Sequence, residues 1–150
     1  METYTEKLAT RLQDILKKNE DAVKGYERAA DNATEIGLRS YFQNKSMERK
    51  NFITSFRANL PKLDLGADKI EGSATGAMHR AWMDVKAFFS TDNDEAMLEE
   101  AIKGDKAAIE DYEELLEDVA LPSSAAKMIR QQLDWIKEDL KVIRTMEDVR

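Results

Sequence analysis

The chain has 150 residues, of which 42% are hydrophobic and 35% are charged. This composition predicts one helical domain over residues 1–150 and argues against disorder. The chain has no cysteine and a single histidine, His79. Disulfides, thiolate nucleophiles and thiolate metal sites are therefore excluded, and so is any site that needs two imidazoles.

The distribution of apolar and charged residues restricts the cellular context and the partners. No apolar run exceeds three residues, so no membrane span is expected, and the first six residues lack a secretory pattern. These features favour the cytoplasm. The net charge is −7, with acids concentrated in residues 92–118 and bases in residues 39–62. Such adjacent, opposite charges argue against nucleic-acid binding and favour attraction between helices, within one bundle or across a homodimer.

Apolar residues recur every three or four positions in the first half of the chain, which is the spacing of amphipathic helices. The first stripe contains Leu8, Leu12, Ile15, Asn19, Ala22, Tyr26, Ala29 and Ala33. The second contains Leu38, Phe42, Lys45, Arg49, Phe52, Phe56 and Leu60, and it stops at Pro61. Between the two stripes, Thr34 is predicted to be the N-cap of the second helix.

The second half repeats this arrangement after a long connection over residues 61–90. That connection contains glycines and a short amphipathic stretch with Trp82, Phe88 and Phe89. Two further stripes run from Leu98 to Val119 and from Ala126 to Ile143, and Pro122 separates them. The chain is thus predicted to be an all-α four-helix bundle of two hairpins with one long crossover that carries a short extra helix.

Two similar stretches support a duplicated hairpin. The sequence Ala22–Glu27 resembles Ala108–Glu113, and each lies on the first helix of its hairpin. Asn19 and Asp105 precede these stretches at the same distance and interrupt their apolar stripes.

The helical spacing puts each of these polar residues on one face with a tyrosine. A carboxylate buried there needs a positive partner, and the second helix offers two inside its own stripe. The last helix offers Gln132 and Asp139 at the margins of its stripe. The predicted interior polar cluster comprises Asn19, Tyr26, Lys45, Arg49, Asp105 and Tyr112.

The stretch Gly104–Tyr112 resembles the Gly-Glu-x-x-Ala-x-x-x-Tyr pattern of ferritin-like proteins such as the rubrerythrins. The wider chain resembles a family of bacterial ferritin-like four-helix bundles classed as a domain of unknown function. Three stretches carry this resemblance: Asp21–Ala30, Gly76–Trp82 and Glu99–Glu114. The resemblance implies a ferritin-like fold.

A ferritin-like di-iron centre uses two single glutamates and two Glu-x-x-His motifs. In this chain the single-carboxylate positions fall on Asn19, an amide, and on Asp105, and no Glu-x-x-His occurs. The one imidazole, His79, lies on the crossover. A standard di-iron centre is therefore not expected, and neither is any other cofactor.

A site made only of carboxylates stays open as an alternative, because hard cations accept oxygen ligands. Its ligands would be Glu27, Glu113, Asp105 and Glu48, or Asp139. The competing hypothesis is that Lys45 or Arg49 supplies the positive charge that neutralises Asp105.

The leading interpretation is a non-enzymatic binding or assembly module, in which the crossover aromatics form a homodimer interface or a site for another protein. The alternative is a metal-dependent oxidase or storage protein with a carboxylate site. A third interpretation, a small apolar ligand held between helices, predicts a pocket beside Asn19 and Tyr26.

Overall fold

The computed structural model describes residues 4–59, 94–118 and 120–148. They form four helices: α1 (Tyr4–Asn32), α2 (Ile36–Asn59), α3 (Asp94–Asp118) and α4 (Ser123–Asp148). No strand occurs in these ranges, so the prediction of an all-α bundle is confirmed. The predicted crossover helix, its aromatic residues and His79 lie outside the described residues.

The helices form two hairpins whose first members run antiparallel to each other. Lys18 of α1 contacts Asp111 of α3, and Tyr26, which lies later on α1, contacts Asp105, which lies earlier on α3. The two helices therefore run in opposite directions. At one end of the bundle, Thr34 contacts Asp94 at the start of α3. The last residue of α2, Asn59, contacts Met128 of α4 at the other end.

This arrangement fixes the direction of the connection between the hairpins. Since α2 ends and α3 begins at opposite ends of the bundle, α2 and α3 run parallel, and residues 60–93 connect the two ends. The helices have 24 to 29 residues each, which corresponds to roughly 36–44 Å. The parallel direction of α2 and α3 agrees with the long crossover that the length of this connection predicts.

The apolar interior is divided into two clusters along the bundle axis. One surrounds Phe52 and Phe56 and includes Leu12, Leu115 and Ile129. The other surrounds Phe42 and includes Ala22, Leu38, Leu98 and Ile143. Every residue of the predicted first stripe is buried, because each faces this core. A layer of buried polar side chains lies between the two clusters.

The turn between α1 and α2 differs from the prediction at Thr34. The carbonyl of Glu35 accepts the first helical hydrogen bond of α2, from the amide of Arg39 at 3.0 Å. Glu35 is therefore the N-cap, and the prediction of Thr34 was wrong by one residue. The Thr34 hydroxyl instead donates to Oδ2 of Asp94 at 2.7 Å, so it links the two hairpins.

No helix in the described ranges combines the length and the apolar character that a membrane crossing requires.

Candidate functional site

The six residues of the predicted polar cluster lie together between the two apolar clusters. Each is at most 2% exposed. The spacing of seven residues on α1 and α3, and of four on α2, keeps each pair on the inward face of its helix. α1 supplies Asn19 and Tyr26, α2 supplies Lys45 and Arg49, and α3 supplies Asp105 and Tyr112.

Lys45 and Asp105 form the central ion pair of the cluster. The ammonium of Lys45 lies 2.8 Å from each carboxylate oxygen of Asp105. It also lies 3.4 Å from Oδ2 of Asp139 on α4 and 5.0 Å from the centre of the Tyr26 ring. The ring face stabilises the cation, and the Tyr26 hydroxyl donates to Asp105 at 3.1 Å. Asp105 is therefore neutralised mainly by Lys45.

Arg49 is less completely paired. Its shortest hydrogen bond runs from NH1 to the neutral amide oxygen of Asn19, at 2.9 Å. Its NH2 group lies 3.5 Å from Oδ1 of Asp105, the limit of a hydrogen bond. Its Nε has no hydrogen-bond partner among the described residues. The face of the guanidinium packs near the Phe52 ring, 5.7 Å from its centre.

A chain of neutral hydrogen bonds extends from Asn19 across the bundle. The amide nitrogen of Asn19 donates to the Tyr112 hydroxyl at 2.9 Å, and that hydroxyl donates to Oε1 of Gln132 at 2.7 Å. The amide nitrogen of Gln132 then donates to the carbonyl of Phe52 at 3.3 Å. Each of these three side chains is hydrogen-bonded to the next group in the series, which connects all four helices.

The buried tyrosines stay protonated around neutral pH. Burial, followed by the charge of Asp105, raises the pKa of Tyr26 well above its ordinary value of 10.0. Burial also raises the pKa of Tyr112 to about 12. Both hydroxyls are therefore hydrogen-bond donors in the cluster, and neither supplies a phenolate.

Glu48 and Asp139 form a carboxyl pair at the margin of the cluster. Burial raises the pKa of Glu48 to about 8, helped by its hydrogen bond with Asp139 and by that carboxylate's charge. Its Oε2 has no hydrogen-bond partner among the described residues. Near pH 7 most of the Glu48 carboxyl is therefore protonated, so it adds little negative charge to the cluster.

The other carboxylates proposed as metal ligands point away from this centre. Glu27 pairs with Lys50 at 3.9 Å and Glu113 pairs with Lys137 at 3.5 Å, and both glutamates are about half exposed. Within residues 4–59, 94–118 and 120–148, no group of three acidic or histidine side chains is arranged to hold a metal ion. The structure thus separates Glu27 and Glu113 from Asp105 and Glu48.

A cavity of about 350 Å³ opens between α1 and α3 beside the cluster. Its apolar wall consists of Ile15, Gly104, Ala107 and Ala108. The polar side chains on its inner side are those of Asn19 on α1, Tyr112 on α3 and Arg49 on α2. The sequence predicted a pocket beside Asn19 and Tyr26. The cavity does lie beside Asn19, but the tyrosine in its lining is Tyr112 and not Tyr26. Two ion pairs border it, Lys18 with Asp111 at 2.6 Å and Lys103 with Glu100 at 3.1 Å.

A family model described as Domain of unknown function (DUF2383) matches residues 7–118 of the chain. The matched region contains α1 from Lys7 onward, all of α2, and α3 to its last residue. It therefore includes the six cluster residues and the cavity wall, whereas Gln132 and Asp139 lie beyond it. No curated protein matches the chain.

Proposed function

We propose that this chain, which belongs to the DUF2383 family, is a ferritin-like bundle that binds a small molecule between α1 and α3 and carries no di-iron centre. The ferritin-like relationship is supported by the two hairpins, by the parallel direction of α2 and α3, and by polar side chains at mid-length on facing helices. The Gly104–Tyr112 pattern lies on one of these helices.

The residues at the centre do not fit a di-iron site. Such a site gathers four carboxylates and two imidazoles around two divalent cations. Here both oxygens of Asp105 already bind the ammonium of Lys45, and the guanidinium of Arg49 is buried beside it. Two fixed cations repel a divalent metal strongly in a buried setting. The carboxylates of Glu27 and Glu113 pair with surface lysines instead.

The cavity is the observation that supports binding. Its volume of about 350 Å³ falls in the range of small-molecule sites, roughly 300–1,000 Å³. Its wall combines small apolar side chains with a few convergent polar groups, which is the usual composition of such sites. The cavity also lies directly beside the buried charged layer, whose Asn19, Arg49 and Tyr112 form part of its lining, and this position favours a ligand site.

Two experiments on the purified protein test this function. Purified without chelator and loaded with ferrous iron, the chain should hold far less than one metal per molecule and show no ferroxidase turnover. Dialysis against a chelator should leave the melting temperature unchanged. Stoichiometric iron or manganese, or turnover lost in Asp105→Ala, would establish the carboxylate oxidase instead.

Binding is tested with N-phenyl-1-naphthylamine, an uncharged fluorescent apolar probe. We expect saturable binding of one probe per chain and its loss in Ala107→Leu, which fills the cavity. Ala58→Leu is the matched control, because Ala58 is also an exposed helical alanine but lies outside the cavity. Absence of binding, or equal binding by both variants, would contradict the proposed site. Homodimerisation and a cytoplasmic location stay predictions from the sequence, and sedimentation velocity checks the first.

A further inference from the structure

We infer that the ligand of the cavity between α1 and α3 is a small amphipathic carboxylate whose head group pairs with Arg49. This inference rests on the proposed binding function and adds the chemical class of the ligand. It follows from the charges of the buried layer, from the composition of the cavity wall and from the position of Arg49 in both.

The deeply buried part of the cluster has more cations than anions. Lys45 and Arg49 are each 2% exposed, and within the part of the chain that the structure describes, Asp105 is the one fully buried carboxylate in contact with them. Asp139 is 20% exposed and contacts Lys45. Both carboxylates thus lie closer to Lys45 than to Arg49. A buried cation such as Arg49 that lacks a short ion pair lowers the stability of the fold.

The neighbouring groups do not supply Arg49 with the missing anion. The carboxylate oxygen that contacts Arg49 in the described ranges is Oδ1 of Asp105, at 3.5 Å, whereas the ammonium of Lys45 lies 2.8 Å from the same oxygen. Its short hydrogen bond goes to the uncharged Asn19. Glu48 lies nearby on the same helix, but burial keeps its carboxyl protonated near pH 7, with a pKa of about 8.

The cavity wall favours an anion with an apolar tail. Lys18 and Lys103 at its border are each paired with an acid, Asp111 and Glu100, so the border is close to neutral. Among the described residues that form the wall, Arg49 is then the cation with the longest ion-pair distance, 3.5 Å to Asp105. A carboxylate accepts two parallel hydrogen bonds from a guanidinium, and Ile15 and the alanines accommodate an alkyl chain.

A series of three ligands with one tail tests the head group in the unaltered protein. Octanoate, 1-octanol and octylamine are titrated by calorimetry at pH 7. We expect octanoate to bind about tenfold or more tightly than octanol, since a charge-assisted hydrogen bond contributes roughly 1.5–3 kcal/mol. Octylamine, protonated at this pH, should bind most weakly because Arg49 repels it.

The position of the head group is tested by NMR and by variants. Nuclear Overhauser contacts should connect the C2 methylene of octanoate with the Arg49 side chain. Arg49→Met should remove the preference for octanoate over octanol. The charge-neutral double variants Lys18→Gln/Asp111→Asn and Lys103→Gln/Glu100→Gln, which remove each border pair as a whole, should change it less than about threefold. If Arg49→Met does not fold, the ligand series and the Overhauser contacts in the native protein decide.

The outcomes separate the inference from the proposed function. Equal binding of all three ligands, lost in Ala107→Leu, would overturn the carboxylate and keep the binding site. Overhauser contacts of the C2 methylene with Lys18 or Lys103 alone would also overturn the role of Arg49. Failure of both the octyl ligands and the naphthylamine probe to bind would overturn the binding function itself.

Discussion

Lys45 and Asp105 form a buried ion pair in which one ammonium lies 2.8 Å from both oxygens of one carboxylate. The pair joins α2 to α3, the two helices that the long crossover connects. Its members are not equivalent: Asp105 also accepts hydrogen bonds from Tyr26 and Arg49, whereas the second carboxylate that contacts Lys45 among the described residues is the more distant Asp139. Removing Asp105 should therefore affect stability differently from removing Lys45.

We predict that Asp105→Asn destabilises the fold more than Lys45→Met. Loss of Asp105 leaves two buried cations without their main anion and should cost about 3–5 kcal/mol of unfolding free energy. After Lys45→Met, Asp105 retains the Arg49 guanidinium and the Tyr26 hydroxyl, so the cost should be smaller. Urea unfolding at pH 7 measures both.

The matched control is Asp111→Asn on α3, the helix that also carries Asp105; this change breaks the pair with Lys18 on α1. Both of these side chains are partly exposed, so the expected cost is about 0–1 kcal/mol. An equal or larger loss for Lys45→Met than for Asp105→Asn would refute the unequal pairing described above.

The carboxyl of Glu48 should make stability fall as pH rises. Burial, then the hydrogen bond with Asp139 and its charge, raise the pKa of Glu48 from 4.5 to about 8 in the folded chain. Between these values the unfolded chain has released the proton and the folded chain still binds it. The contribution of Glu48 is therefore lost progressively from about pH 4.5 to pH 8 and changes little outside that window.

Glu48→Gln should remove this slope, because an amide resembles the protonated carboxyl and does not titrate. The variant should match the native chain near pH 4 and exceed its stability at pH 8, measured by urea unfolding from pH 4 to pH 8. Glu138→Gln is the control, since Glu138 is largely exposed on α4 and should leave the slope unchanged. A native chain whose stability rises from pH 5 to pH 8 in parallel with Glu48→Gln would contradict the assignment.

Much of the fold could be predicted because helical periodicity is encoded locally. The stripe from Leu8 to Ala33 is buried throughout, and Asn19 and Asp105 were identifiable because polar residues inside such a stripe need partners. Their approximate location therefore followed from spacing alone. Spacing alone did not show whether Lys45 or Arg49 is the main partner of Asp105, because that depends on distances between side chains within one layer of the bundle.

The remaining features depend on how whole helices lie against one another. The Glu48–Asp139 pair depends on the register of α2 against α4, which no short-range pattern encodes. The cavity depends on the separation of α1 and α3, so the sequence suggested a pocket beside Asn19 but not its second tyrosine. At Thr34, local propensity favoured an N-cap, but a residue from the other hairpin binds its hydroxyl.

Asp94 should stabilise the contact between the two hairpins. Its carboxylate accepts hydrogen bonds from the amide of Thr34 at 2.9 Å, from the Thr34 hydroxyl at 2.7 Å and from the amide of Glu35 at 3.2 Å. Asp94→Ala should therefore cost about 2–3 kcal/mol of unfolding free energy. Glu95→Ala, an exposed neighbour in the same first turn, should cost less than about 1 kcal/mol. Equal losses would mean that only the helix dipole is involved.

Tyr112 should be energetically coupled to Gln132 through its hydroxyl. Tyr112→Phe removes the donor to Oε1 of Gln132 and leaves that buried oxygen unpaired, at a cost of about 1–3 kcal/mol. Gln132→Leu alone leaves the tyrosine hydroxyl without its acceptor. The double variant has neither of these two unpaired groups, and Asn19 loses its acceptor equally in Tyr112→Phe and in the double variant. The loss of unfolding free energy in the double variant should therefore be smaller than the sum of the single losses, by about 0.5–3 kcal/mol. A double-mutant cycle by urea unfolding measures this difference, and additive losses would show that the 2.7 Å contact contributes nothing beyond packing.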